Sequence, residues 1–167
     1  MENKVVTTLA RAFVRCGWRA VRFNFRGVGQ SAGSYDDGEG ETQDLLAVIT
    51  HLARQGPLAL AGFSFGTFVL SRALTTLWPG RDIEKLVLVG TAVARLDVAQ
   101  IPAALHERTL VVHGENDETV TLADALAWAR PQHLPVTVLP AASHFFHGQL
   151  PLLRGVVERH LSAKLNS

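Results

Sequence analysis

An α/β fold, a mostly parallel central sheet with helices on both faces, is predicted by three features of this sequence. Apolar runs of strand length alternate with stretches of helical period along the chain. The runs are apolar at successive positions rather than at every second one, as expected of strands covered on both faces. At 167 residues, 47% hydrophobic and 19% charged, the chain has the size and composition of one globular domain with a real core.

The elements follow in order. Val5, Val6, Leu9, Ala12, Phe13 and Cys16 recur at spacings of three and four, which predicts an amphipathic helix that stops at Gly17. Residues 19–25 (RAVRFNF) read as a strand, followed by a glycine-rich loop over 26–40. Residues 42–54 resume the helical period, and Gly56-Pro57 ends that helix ahead of a buried strand at 58–62. A helix through Val69, Leu70, Ala73, Leu74 and Leu77 comes next, then a strand at 83–90. Residues 91–107 are irregular with a short helix at most. Strand 109–113, helix 121–130, strand 135–139 and a closing helix over 149–164 complete the series. There is no internal repeat and no linker, so residues 1–167 are expected to form one domain.

Net charge is +1 and the basic residues form no run, which argues against nucleic acid or an anionic membrane surface as partner. Cys16 is the only cysteine, so an internal disulfide and a Cys-rich zinc site are both excluded. The first twenty residues carry charges throughout and contain no signal-peptide core. No apolar stretch is long enough to span a bilayer. A cytoplasmic location is the expectation.

Gly62-Phe63-Ser64-Phe65-Gly66 matches G-x-S-x-G where a buried strand runs into a helix, the setting that this motif requires. A tight, strained turn there lifts a serine hydroxyl above the sheet, and glycines on either side spare the turn a collision. The N-terminus of the next helix aims free N–H groups at the same place, so the Phe65 N–H is the candidate oxyanion donor.

A serine hydroxyl needs a base, and the base an acid to orient it. Asp117 follows the strand at 109–113, at the carboxyl end where ligands collect in an open parallel sheet. His144 follows the last strand. Ser64, Asp117 and His144 thus fall at strand ends on one edge of the sheet. Glu115 is the rival acid and His147 the rival base. His113 is read as packing at its strand end, and Asp117 could instead cap the segment that begins near Thr119.

With Arg22-Phe23-Asn24-Phe25-Arg26-Gly27-Val28-Gly29-Gln30-Ser31 followed by Gly33, and with the blocks at 62–66, 113–117 and 143–148, the chain resembles the α/β-hydrolase superfamily. Within it, the chain resembles dienelactone-hydrolase-like and CocE/NonD-type bacterial proteins. The order serine, acid, histidine is that of the superfamily. The resemblance implies a serine hydrolase acting on a small acyl substrate, with serine where dienelactone hydrolases carry cysteine pointing to an ester, and it implies neither metal nor organic cofactor. Members of this group have three further strands before the first helix seen here, one of them interior to the sheet between 19–25 and 58–62. They also have a loop there that supplies a second oxyanion donor. Alternatives are a hydrolase-derived fold that binds without turnover, and a fragment that does not fold alone. The glycine-rich loop opens no helix at once and is not a dinucleotide site; its Arg26 is read as a structural hydrogen-bond donor.

Overall fold

The computed structural model describes residues 3–163. Its centre is a sheet of four parallel strands in the order β1 (Leu58–Phe63), β2 (Ile83–Val89), β3 (Thr109–Gly114) and β4 (Val136–Leu139). Helices α1 (Lys4–Arg15), α2 (Glu39–Leu52), α3 (Phe65–Leu77), α4 (Leu122–Ala129) and α5 (Leu150–Ser162) cover it. The fold class expected from the sequence is the one observed. The closing helix ends at Ser162, and residue 164, to which it was expected to run, lies outside the described residues.

Side-chain alternation along β2 explains why two layers of helices are needed. Leu86 and Leu88 point into a core shared with α2, α3 and α4, whereas Val87 and Val89 point into a second core shared with α1 and α5. All four are fully buried, and burying each such side chain is worth about 1.5–3 kcal/mol. The connection from β2 to β3 packs onto α3 and α4. Val98, Ile101 and Leu105 are buried, and the Trp128 indole N–H of α4 donates to the Val98 carbonyl at 3.0 Å.

Residues 19–25 are the one strand that the structure does not bear out. They carry no regular secondary structure and belong to no sheet. A cavity of about 520 Å³ separates them from β1, walled by α1 below and by α2 and α3 above. A strand exists only through a partner some 4.8 Å away, and across this cavity no ladder hydrogen bond forms. The consequence reaches both walls. Val21 and Phe23 are exposed, and Ala61, in the middle of β1, is exposed in a strand otherwise largely buried.

Helix α2 also differs from expectation, beginning at Glu39 inside the segment read as loop. Gly38 turns the chain at φ 86°, and the fully buried Glu41 carboxylate accepts the backbone N–H groups of Gly38 (2.9 Å) and Asp36 (3.1 Å). That is the helix-side half of a capping box. Arg26 secures the preceding loop by a two-pronged bond to Asp44 at 2.9 and 2.8 Å. Its guanidinium lies against Gly40, where a Cβ would collide with it. Arg26 is therefore a structural donor, as the sequence indicated. Among the described residues no helix is long and apolar enough to cross a membrane.

Candidate active site

The strand β1 delivers Phe63 to the carboxyl edge of the sheet, and Ser64 turns the chain into α3 with φ 50° and ψ −121°. A non-glycine residue in that region costs on the order of 1–3 kcal/mol and persists only where its surroundings hold it. Here the Ser64 N–H donates to the Val89 carbonyl at 2.9 Å, and the Ser64 carbonyl accepts from the Thr67 N–H at 2.8 Å and hydroxyl at 2.6 Å. The turn is tight enough that a Cβ on Gly62 would sit 2.6 Å from the Gly66 carbonyl oxygen. At Gly66, by contrast, an added Cβ meets nothing within 4 Å, because that position faces the cavity beside β1. Only the first of the two motif glycines is demanded by packing. Phe65 is the first residue of α3, so its N–H lacks an acceptor within the helix.

Asp117 sits in the turn after β3. Its Oδ1 accepts the backbone N–H groups of Thr119 (2.9 Å) and Val120 (2.8 Å), and its Oδ2 lies 2.7 Å from His144 Nδ1. The carboxylate is buried, but three donors compensate it, as a buried charge requires. The capping role considered for Asp117 and its place beside the histidine are thus filled together, one by each oxygen. The other imidazole nitrogen of His144, Nε2, lies 3.0 Å from Ser64 Oγ. An ionised carboxylate can only accept, so Nδ1 carries the proton and Nε2 is left to accept from the serine hydroxyl. Ser64, His144 and Asp117, predicted from three distant stretches, form one hydrogen-bonded line.

His144 is 2% exposed. Its ring lies between the ring of Phe63, centroids 5.0 Å apart, and the edge of Phe145 at 5.1 Å. Gly90, at the end of β2 with φ 56°, leaves room for it: a Cβ there would lie 3.1 Å from His144 Cε1. The rivals are placed elsewhere. His147 is exposed and its ring meets Phe145, not the serine. Glu115 is exposed and accepts the Ala141 N–H at 2.7 Å. His113 is fully buried at its strand end, as read, with Nε2 on the Val120 carbonyl at 2.9 Å and 3.6 Å from Asp117 Oδ2. Sequence reasoning missed Glu118, whose Oε2 accepts the backbone N–H of His144 at 3.1 Å. That bond holds its carboxyl below the ordinary carboxylate range. Its one signal in the sequence is adjacency to Asp117.

The 520 Å³ cavity reaches Gly62, Phe63 and Gly66, but its walls contain none of Ser64, Asp117 and His144. Aromatic side chains flank the serine instead. Phe145 is 44% exposed on the histidine side, and on the other the Phe65 ring meets Phe25 at 5.4 Å and Tyr35 at 5.7 Å.

Residues 3–109 match the family described as Serine aminopeptidase, S33 (Hydrolase_4). That segment includes Ser64 and stops short of Asp117 and His144. Among solved structures the chain is similar to a Xanthomonas campestris protein described as an α/β serine hydrolase without lid, at 39% identity and a TM-score of 0.84, covering 96% of this chain and 73% of that one. A Coxiella burnetii α/β serine hydrolase homologue is 39% identical with a TM-score of 0.81, over 96% of this chain and 77% of that one. An uncharacterised protein of Rickettsia prowazekii is 28% identical over 159 residues, 87% of this chain. The chain spans 66% of that protein, just under two thirds of its length. By the extent of the family match and by its fold, the chain belongs to the Serine aminopeptidase, S33 family of the α/β-hydrolase superfamily.

Proposed function

We propose that the chain is a serine hydrolase that cleaves a small carboxylic ester through an acyl-serine intermediate. The observation that carries this reading is the line from Ser64 Oγ to His144 Nε2 (3.0 Å) and from His144 Nδ1 to Asp117 Oδ2 (2.7 Å). In the mechanism that it supports, His144 takes the Ser64 proton as the oxygen attacks the carbonyl carbon. The Phe65 N–H donates to the oxyanion that develops. The tetrahedral intermediate then expels the alcohol, which leaves with the proton from His144. Water, deprotonated by the same imidazole, attacks the acyl-serine, and collapse returns the proton to Ser64. Asp117 keeps the imidazole in the required tautomer and stabilises its cationic form.

Small or mobile acyl groups suit the site better than buried long chains, because the connection between β2 and β3 is folded down onto α3 and α4. The Xanthomonas relative's description as lacking a lid agrees with this. The lone, unpaired Cys16 goes with a cytoplasmic setting. A second reading, binding without turnover, draws on the cavity beside β1, which adjoins the elbow at Gly62 and Gly66.

Labelling of the purified chain with a fluorophosphonate, read as intact mass, separates the two. One adduct per chain, absent from Ser64→Ala, is the expected result. A folded chain that takes up no label would overturn the hydrolase reading and favour binding.

A further inference from the structure

The turn that carries Asp117 and the loop that carries His144 are fastened together by more than their own side chains. Backbone bonds run from the Glu115 N–H to the Leu139 carbonyl (3.0 Å) and from the Asn116 N–H to the Ala142 carbonyl (2.9 Å). Two carboxylates add to them: Glu115 Oε2 accepts the Ala141 N–H at 2.7 Å, and Glu118 Oε2 accepts the His144 N–H at 3.1 Å. The histidine loop needs such holding. Ala141 and Phe146, on either side of His144, both have positive φ, 55° and 52°. Non-glycine residues stay in that region only where neighbouring bonds fix them. Glu118 is the acceptor that grips the base residue itself.

We propose that Glu118 is a positioning residue for His144, its carboxylate fixing the backbone of the base through the 3.1 Å bond from the His144 N–H. The inference rests on the hydrolase reading of the Ser64 site. The groups that face His144 from each packed element are few. Ser64 comes from the end of β1, Gly90 from the end of β2, and Asp117 and Glu118 from the turn after β3. His113 stands behind Asp117 at 3.6 Å, and on its own loop the neighbours are Phe145 and then His147.

Two substitutions in the full chain test the role. Glu118→Ala removes the acceptor. It is expected to lower kcat on p-nitrophenyl acetate about tenfold with KM little changed, since a small misplacement of a catalytic group costs rate more than binding. Glu118→Gln keeps an oxygen acceptor for the His144 N–H and is expected to recover most of kcat. Protection of the His144 amide against hydrogen exchange, read by NMR, should fall in Glu118→Ala and return in Glu118→Gln.

A Glu118→Ala chain with parental kcat and KM overturns the proposal, and so does a Glu118→Gln chain as slow as Glu118→Ala. If Glu118→Ala does not fold, Glu118→Asp, whose shorter side chain withdraws the oxygen, takes its place, and parental kcat there overturns the proposal. If the parent hydrolyses nothing, the hydrolase reading fails by itself. Exchange protection of the His144 amide then still reports whether Glu118 holds the base residue.

Discussion

From β2 to β4 each strand is paired and packed against helices, whereas residues 18–38 lie against the same molecule with no strand partner. The difference shows in what holds each region. Around β2 and β3 the holding is apolar, with Leu86, Val87, Leu88, Val89 and Val112 all fully buried. In the front region polar bonds carry a larger share, Arg26 on Asp44 and Glu41 on the N–H groups of Asp36 and Gly38, beside the apolar contacts of Trp18, Ala20 and Phe25. Asp117 and His144 stand wholly on the apolar side of this divide. Ser64 stands on the boundary, because β1 has β2 on one edge and the cavity on the other. Ser64, His144 and Asp117 therefore lie at hydrogen-bonding distance although one edge of β1 has no strand partner.

The largest expected effect tests whether the site belongs to the packed region. Asp117→Asn keeps an oxygen for the N–H groups of Thr119 and Val120, so the turn survives. Its amide then donates to His144 Nδ1 and moves the imidazole proton to Nε2, where it faces Ser64 instead of accepting from it. Loss of the correct tautomer costs about 10⁴ in kcat. The measurement is steady-state hydrolysis beside a thermal melt, with the melt expected to stay within a few degrees of the parent. A melt that collapses along with activity would place the site's support in the Asp117 turn rather than in the strands.

The two motif glycines put the same comparison on a smaller scale, since one faces packed backbone and the other the cavity. In Gly62→Ala the new Cβ would lie 2.6 Å from the Gly66 carbonyl, a backbone atom that cannot yield without moving the elbow. Forcing it in costs about 1–3 kcal/mol, and fluorophosphonate labelling should slow with it. Gly66→Ala meets open space. In a helix that change is neutral or stabilising by up to ~1 kcal/mol. Urea melts of the two variants read the contrast directly. Equal destabilisation by both would mean that the cavity beside Gly66 is not open in solution.

What could be read from the sequence divides along similar lines. The runs at 58–62, 83–90, 109–113 and 135–139 are β-rich and apolar whatever their neighbours, and all four became strands. The serine, acid and histidine were legible because topology alone sends strand ends to one edge of a parallel sheet. Residues 19–25 have the composition of a strand, but strand identity depends on a partner, and that is a non-local property. The start of α2 was hidden by glycine. Gly38 and Gly40 look like loop residues, while the deciding interaction is a buried carboxylate three residues past Gly38. Glu118 resembles any loop acid until the His144 loop is seen against it.

The smallest expected effect sharpens the polar side of the comparison. The Arg26 guanidinium, hydrogen-bonded to Asp44, holds the Asp44 carboxyl below its ordinary value near 3.8. A carboxyl whose pKa is lower in the folded chain contributes stability above its unfolded pKa and loses it as pH falls through the folded one. The loop that Arg26 anchors should therefore loosen on acidification below about pH 4, while β2 and β3, held by apolar burial, should not. Amide protection factors would show it: those of Asp36 and Gly38 should fall with pH while those of Val87 and Leu88 hold. Asp44→Asn should reproduce the loosened loop at neutral pH, because the amide offers Arg26 one oxygen and no charge. Glu41 also accepts from both of these amides. The mutant isolates the Arg26–Asp44 share, and protection unchanged in it would leave the loop's attachment to Glu41 and to the Arg26–Asp36 pair at 3.6 Å.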